Sequence, residues 1–126
     1  FASVKLSELA IGIGPFVVGP AVERKMGTAA FTALAIDAAT WYDAQWAQKQ
    51  GLYAQVFDDA ASMDGAIDAF AQRLAASNPE AMAELKRVFW AGTDHWESLL
   101  PERAAISGRL VLSDFTRKAI NRFKGK

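Results

Sequence analysis

The order of apolar and polar residues predicts a strand at the start of the chain and helices over its second half. Phe1, Val4 and Leu6 lie among small or polar neighbours, a pattern that predicts a half-buried strand. Leu52–Phe57 has a second strand-like pattern. From Ser62 onward the apolar residues recur only at helical spacing. These patterns together predict part of a mixed α/β domain followed by a helical C-terminal arm.

Local start and stop residues predict the bounds of the helices. Asp, Asn, Ser and Thr cap the start of a helix, proline fits its first turn, and glycine favours the conformation that follows its end. In the first half of the chain we expect a helix from about Phe16 or Pro20 to Met26 with Gly27 as its stop, one capped by Thr28 and ending near Ile36, and one from Asp43 with Gly51 as its stop. In the second half we expect helices through Met63–Leu74, from Asn78 through Phe89 and through Ala105–Leu112, and a terminal helix capped by Ser113 or Asp114.

Glu8 is a candidate catalytic acid. It is followed by an uncharged run that extends from Leu9 to Val22. A carboxylate among apolar side chains loses hydration, which raises its pKa and allows it to exchange protons near neutral pH. The alternative is a solvated carboxylate at the end of a strand that caps a neighbouring loop.

The composition is that of a globular protein and indicates no charged partner. The chain has 126 residues, 52% of them hydrophobic, with 14 basic and 14 acidic residues, so it lacks the broad basic surface that nucleic-acid binding needs. So apolar a composition in so short a chain predicts an oligomer, in which a second subunit covers part of the apolar surface. Trp41, Trp90 and Trp96 are the interface candidates.

Other residue types restrict the function further. The sequence has no cysteine, which excludes disulfides and thiolate metal sites, and we expect a cytoplasmic protein without a metal. The uncharged run after Glu8 is shorter than the roughly 20 residues of a membrane helix and contains glycine and proline, so we expect no membrane contact. The single histidine, His95, is interpreted as a capping or packing residue.

Four short motifs occur in an order that resembles one family. Glu8 to Pro15 fits Glu-x-x-x-Gly-x-x-Pro. The other three motifs consist of Ala44, Ala47, Gly51 and Leu52 with Val56, of Asn78 and Pro79 with Lys86, and of Ile120, Phe123 and Lys126. This order is similar to the C-terminal portion of the crotonase superfamily, the enoyl-CoA hydratases and isomerases.

The resemblance implies an α/β fold, namely the C-terminal half of a ββα spiral in residues 1–60 and a helical trimerisation region in residues 61–126. It also implies an acyl-CoA thioester substrate, no separate cofactor because CoA is part of the substrate, and a homotrimer or hexamer. By resemblance Glu8 is the second of the two hydratase glutamates and acts as general acid and base.

The resemblance also suggests substrate-binding residues. Gly12, Pro15 and Phe16 belong to the loop beside Glu8, which departs from many relatives by having Phe16 and two valines where a glycine pair is common. Phe123 and Lys126 are an aromatic residue and a cation three residues apart, which suits an adenine ring and a CoA phosphate.

The parts of the family site that precede Glu8 would lie before Phe1. These are the first catalytic glutamate and both oxyanion-hole N–H donors, so we expect the chain to be the C-terminal portion of a longer protein. Hydratases of the family use both glutamates and several isomerases keep one. The sequence therefore leaves three functions open: a hydratase, an isomerase with Glu8 as sole base, and an inactive fragment that needs the N-terminal half.

Overall fold

Helices make up most of the chain. The computed structural model describes the backbone of residues 2–124 and the side chains of residues 2–122. The elements in these residues are, in order, β1 (Ser3–Val4), a 3-10 helix (Glu8–Ile11), α1 (Gly19–Met26), α2 (Thr28–Ile36), β2 (Tyr42–Asp43), α3 (Ala44–Lys49), α4 (Ala60–Ala75), α5 (Pro79–Phe89), α6 (Trp96–Val111) and α7 (Asp114–Lys124).

The chain divides into two compact units. The first contains the residues up to Ala54 and those from Ser98 onward, and the second contains Gln55–Glu97. α6 therefore begins in the second unit and continues in the first. The expected division at residue 60 between the spiral core and the helical region stays a prediction.

The first unit is built around a small apolar core. α1 packs against α2, and α3 packs against β1 and β2. The two strands are antiparallel, with Ser3 opposite Asp43 and Val4 opposite Tyr42. The buried apolar residues are Met26, Leu34, Ala38, Ala44, Ala47 and Ala119. Both α2 and α7 pack against the 3-10 helix, so this short element lies between two longer ones.

The second unit contains two amphipathic helices. The Asp59 carboxylate caps α4 by accepting a 2.7 Å hydrogen bond from the Ser62 N–H, and the Asn78 side chain caps α5 by accepting one of 2.9 Å from the Glu80 N–H. The large apolar side chains of both helices are exposed: Met63, Ile67, Phe70, Leu74, Met82, Leu85, Val88 and Phe89. In α4 these residues recur at helical spacing, as predicted.

Most predicted helix bounds are confirmed. α1 ends at Met26 with Gly27 as its cap, α3 begins after Asp43, and α5 begins at Pro79. The predicted cap at Thr28 is wrong, because Gly27 occupies the capping position of α2 and the Thr28 hydroxyl instead donates a 2.7 Å hydrogen bond to Glu23.

The predicted strands are shorter or missing. β1 covers only Ser3–Val4 and Phe1 lies outside the described residues. Leu52–Phe57 forms bends and irregular structure, and the strand predicted there is wrong. A strand needs a neighbour that shares its backbone hydrogen bonds, and among the described residues the only strand pairing is that of β1 with β2.

The helix predicted through Ala105–Leu112 begins earlier than expected. α6 starts at Trp96 and continues through Pro101 to Val111. The Trp96 ring meets the Trp90 ring edge-on with 5.9 Å between centroids, a contact across the turn that precedes the helix.

Candidate active site

Glu8 is the first residue of the 3-10 helix, and not the strand-end residue of the alternative interpretation. Its side chain is half-buried. The Glu8 carbonyl accepts a 3.0 Å hydrogen bond from the Ile13 N–H, and the Leu9 carbonyl accepts one of 3.0 Å from the Gly12 N–H. These bonds fix the backbone from which the Glu8 side chain projects.

Glu8 is not ion-paired with any described side chain. Ion pairs within residues 2–122 join Arg87 to Glu84 and Arg117 to Asp114, both on exposed helix surfaces. The catalytic role itself stays a prediction.

Gly12 ends the 3-10 helix with a left-handed backbone. Its φ is +83°, a conformation that costs other residues energy. A Cβ built on Gly12 would lie 2.9 Å from the Thr116 hydroxyl oxygen and would overlap the Phe115 ring. The start of α7 therefore approaches the backbone next to Glu8 closely enough that only glycine fits.

The loop after Gly12 is compact. The Phe16 N–H donates a 2.8 Å hydrogen bond to the Gly14 carbonyl, and the Pro15 carbonyl accepts one of 2.8 Å from the Gly19 N–H. A Cβ on Gly14 would lie 2.6 Å from the Phe16 ring, so the ring folds back over the loop. Gly12, Pro15 and Phe16 thus lie on one continuous segment with Glu8, and their contact with substrate stays a prediction.

The predicted CoA contacts lie at the end of the chain. The backbone of Phe123 belongs to the last turn of α7, its side chain lies outside the described residues, and so does Lys126. Arg117 and Lys118 on the same helix are exposed. The pairing of Phe123 and Lys126 with a CoA moiety stays a prediction.

Sequence reasoning missed a polar cluster at the turn between α2 and β2. The Tyr42 hydroxyl donates a 3.2 Å hydrogen bond to the Asp37 carboxylate. The neighbouring Thr40 hydroxyl, with help from Tyr42, lowers the pKa of Asp37, while burial raises the pKa of Tyr42. The Tyr42 ring also packs on Trp46 with 4.1 Å between centroids. The sequence signal is Asp37 and Tyr42 on either side of a short turn. The hydrogen bond between them orders the segment before α3.

Residues 2–122 contain no group of three or more histidine, aspartate and glutamate side chains arranged to hold a metal ion. None of the helices within residues 2–124 combines the length and the apolar character needed to cross a membrane.

Solved structures of enoyl-CoA hydratases share this fold. An enoyl-CoA hydratase from Mycobacterium avium superposes with a TM-score of 0.87 at 24% identity, over 98% of this chain and 48% of its own. A provisionally named enoyl-CoA hydratase from Mycobacterium avium paratuberculosis K-10 gives 0.87 at 23% identity, with the same coverage. A provisionally named enoyl-CoA hydratase/isomerase from Acinetobacter baumannii gives 0.78 at 19% identity, over 93% of this chain and 49% of its own.

The structural likeness confirms the fold that the sequence motifs implied. The chain has the fold of a crotonase-like enoyl-CoA hydratase over about half the length of those proteins, in agreement with the expected C-terminal portion. No protein-family model matches the sequence. No curated protein matches it either.

Proposed function

We propose that the protein containing this chain is an acyl-CoA enzyme and that its reaction is the hydration of an enoyl-CoA thioester. The observation that carries the proposal is the place of Glu8 at the head of a 3-10 helix that Gly12 closes, within a fold shared with enoyl-CoA hydratases. The sequence Glu-x-x-x-Gly-x-x-Pro of the resembling family corresponds to this turn.

Hydration needs one proton to move to the α-carbon of the enoyl group while hydroxide from water bonds to the β-carbon. In the proposed role, the Glu8 carboxylic acid gives its proton to the α-carbon and the carboxylate regains one from the attacking water, so the residue is unchanged after a turnover. The two N–H donors that would polarise the thioester carbonyl are expected in the preceding part of the protein.

Replacing Glu8 by glutamine tests this role. The amide keeps the size of the side chain but cannot exchange a proton, so kcat for hydration of crotonyl-CoA by the complete protein should fall by about 10²–10⁴. Glu102→Gln is the matched control because Glu102 is an exposed glutamate on α6, and its kcat should be unchanged. Full activity of the Glu8 variant across enoyl-CoA substrates of several chain lengths would refute the assignment.

Double-bond isomerisation is the second candidate function. The name of the structure from Acinetobacter baumannii includes both activities, and Glu8 could act as the sole base that moves a proton between carbons of the acyl chain. A 3-enoyl-CoA substrate separates the two reactions. Conversion to the 2-enoyl thioester without formation of a 3-hydroxyacyl product would favour the isomerase.

The proposal also covers the oligomeric state and the residues that bind the CoA part of the substrate, which we call the carrier. The exposed apolar faces of α4 and α5 support an assembly that covers them, since large apolar surfaces of this kind are usually covered, and a homotrimer or hexamer is the assembly that the family resemblance implies. Phe123 and Lys126 are proposed to contact the adenine and a phosphate of CoA. CoA enters as part of the substrate, no metal or separate cofactor takes part, and the proposed compartment is the cytoplasm.

A further inference from the structure

Thr116 is a fully buried polar residue at the start of α7. Its relative exposure is 0%, and its hydroxyl donates a 3.1 Å hydrogen bond to the Leu110 carbonyl and accepts one of 3.2 Å from the Ser113 hydroxyl. The Thr116 N–H donates in turn to the Ser113 oxygen at 3.2 Å. This closed set of bonds fixes the Thr116 rotamer and joins the first turn of α7 to the end of α6.

The fixed hydroxyl meets the backbone that ends the 3-10 helix. A Cβ on Gly12 would lie 2.9 Å from the Thr116 oxygen and would also overlap the Phe115 ring. Phe115 and Thr116 are adjacent, so together they form a surface on which Gly12 rests. Interiors transmit displacement because they are close-packed, and a shift of Thr116 would shift Gly12 as well.

Gly12 is connected to Glu8 by the hydrogen bonds of the same short helix. The N–H groups of Gly12 and Ile13 donate to the carbonyls of Leu9 and Glu8. A four-residue helix has too few internal bonds to hold its own geometry, so packing against its neighbours must hold it. The contact with α7 supplies part of that packing.

We propose that Thr116 is a positioning residue that sets the orientation of Glu8 through Gly12. This inference rests on the proposed function of Glu8 in proton transfer. The residue touches no reacting atom in this role. Its effect is on the chemical step, because a misplacement of about 1 Å in a catalytic group can cost about 10²-fold in rate.

Thr116→Val is the direct test, because valine keeps the branched shape and removes the hydroxyl. In the complete protein we expect kcat for enoyl-CoA hydration to fall by about 10- to 100-fold while KM stays within a few-fold. Thr116→Ser keeps the hydroxyl, so its kcat should lie within about three-fold of the wild-type value. Ala47→Gly is the control, since Ala47 is fully buried in α3, which packs on β1 and β2, and a loss of stability there should leave kcat unchanged.

A double variant separates this inference from the proposed function. If Thr116 acts through Glu8, adding Thr116→Val to Glu8→Gln should cost no further activity. An equal loss in both backgrounds would refute the positioning role while leaving the function of Glu8 intact. Full activity of Glu8→Gln alone would instead refute the proposed function.

Amide exchange gives a readout that does not depend on activity. The Ile13 N–H bonds to the Glu8 carbonyl, so Thr116→Val should speed its exchange about ten-fold or more, and Ala47→Gly should leave it unchanged. Equal exchange in the wild type and the valine variant would overturn the inference. If the valine variant does not fold, Thr116→Ala removes the same hydroxyl with a smaller side chain and should produce the same loss of kcat.

Discussion

The exposed face of α4 leads to a prediction about the proposed trimer, namely that a charge at Phe70 weakens it. Phe70 lies at the centre of the series Met63, Ile67, Phe70 and Leu74, and its relative exposure is 55%. A phenylalanine buries roughly 200 Å² in a typical interface, so about 110 Å² of Phe70 is open for a partner. At about 25 cal/mol per Å² this area is worth about 3 kcal/mol, or roughly 100-fold in affinity per contact.

Phe70→Glu should therefore dissociate the proposed trimer without unfolding the chain. Arg73 lies over the Phe70 ring at 5.7 Å, so a glutamate at position 70 would have a cation one helical turn away that supports α4. Sedimentation equilibrium of the complete protein at micromolar concentration should show the monomer mass. Gln72→Glu is the control, because residue 72 lies on the opposite side of α4 and should leave the mass unchanged.

Two outcomes would contradict this reasoning. If Phe70→Glu keeps the mass of the wild type and lowers its Tm by several degrees, another part of the same polypeptide covers the face of α4. If mass and Tm are both unchanged, the face is open to solvent and the assembly uses other residues. Circular dichroism at the same concentration checks that α4 remains helical in the variant.

Two further predictions concern the carrier and the size of the active unit. Replacing Phe123 and Lys126 together by alanine should raise KM for acyl-CoA and leave kcat within a few-fold, because these residues are proposed to bind the carrier. The rise in KM should be larger at low salt. An unchanged KM in steady-state assays would exclude the contact. Residues 1–126 expressed alone should turn over no crotonyl-CoA and unfold without cooperativity, since the oxyanion donors are expected elsewhere; a cooperative melt with measurable turnover would show that this segment suffices.

The sequence predicted the elements that depend on neighbouring residues. Asn78 caps α5, Asp43 caps α3 and Gly27 stops α1, because each of these effects acts within four residues and depends on side-chain type. The strand predicted for Leu52–Phe57 was wrong because strand formation depends on a partner strand, which is often distant in sequence. Among the described residues, no strand pairs with this segment.

The candidate site was predictable only in part for the same reason. Glu8, Gly12, Pro15 and Phe16 were found from a motif of consecutive residues, and the structure places them on one segment. The contact of Gly12 with Thr116 joins positions more than a hundred residues apart. Thr116 has an ordinary helical position in the sequence, and only its burial and its bonds to Leu110 and Ser113 distinguish it.

The position of the 3-10 helix explains how Thr116, near the end of the chain, can affect the orientation of Glu8, near its start. The helix has a single turn, and α2 and α7 both pack against it. Gly12 gives the turn its left-handed end and leaves no side chain to separate it from α7. If Glu8 transfers the proton, its orientation is therefore set by packing that is complete only when α7 has docked. Under the two proposals, Thr116 on α7 would act on the chemical step, and Phe123 at the end of the same helix would act with Lys126 on binding of the carrier.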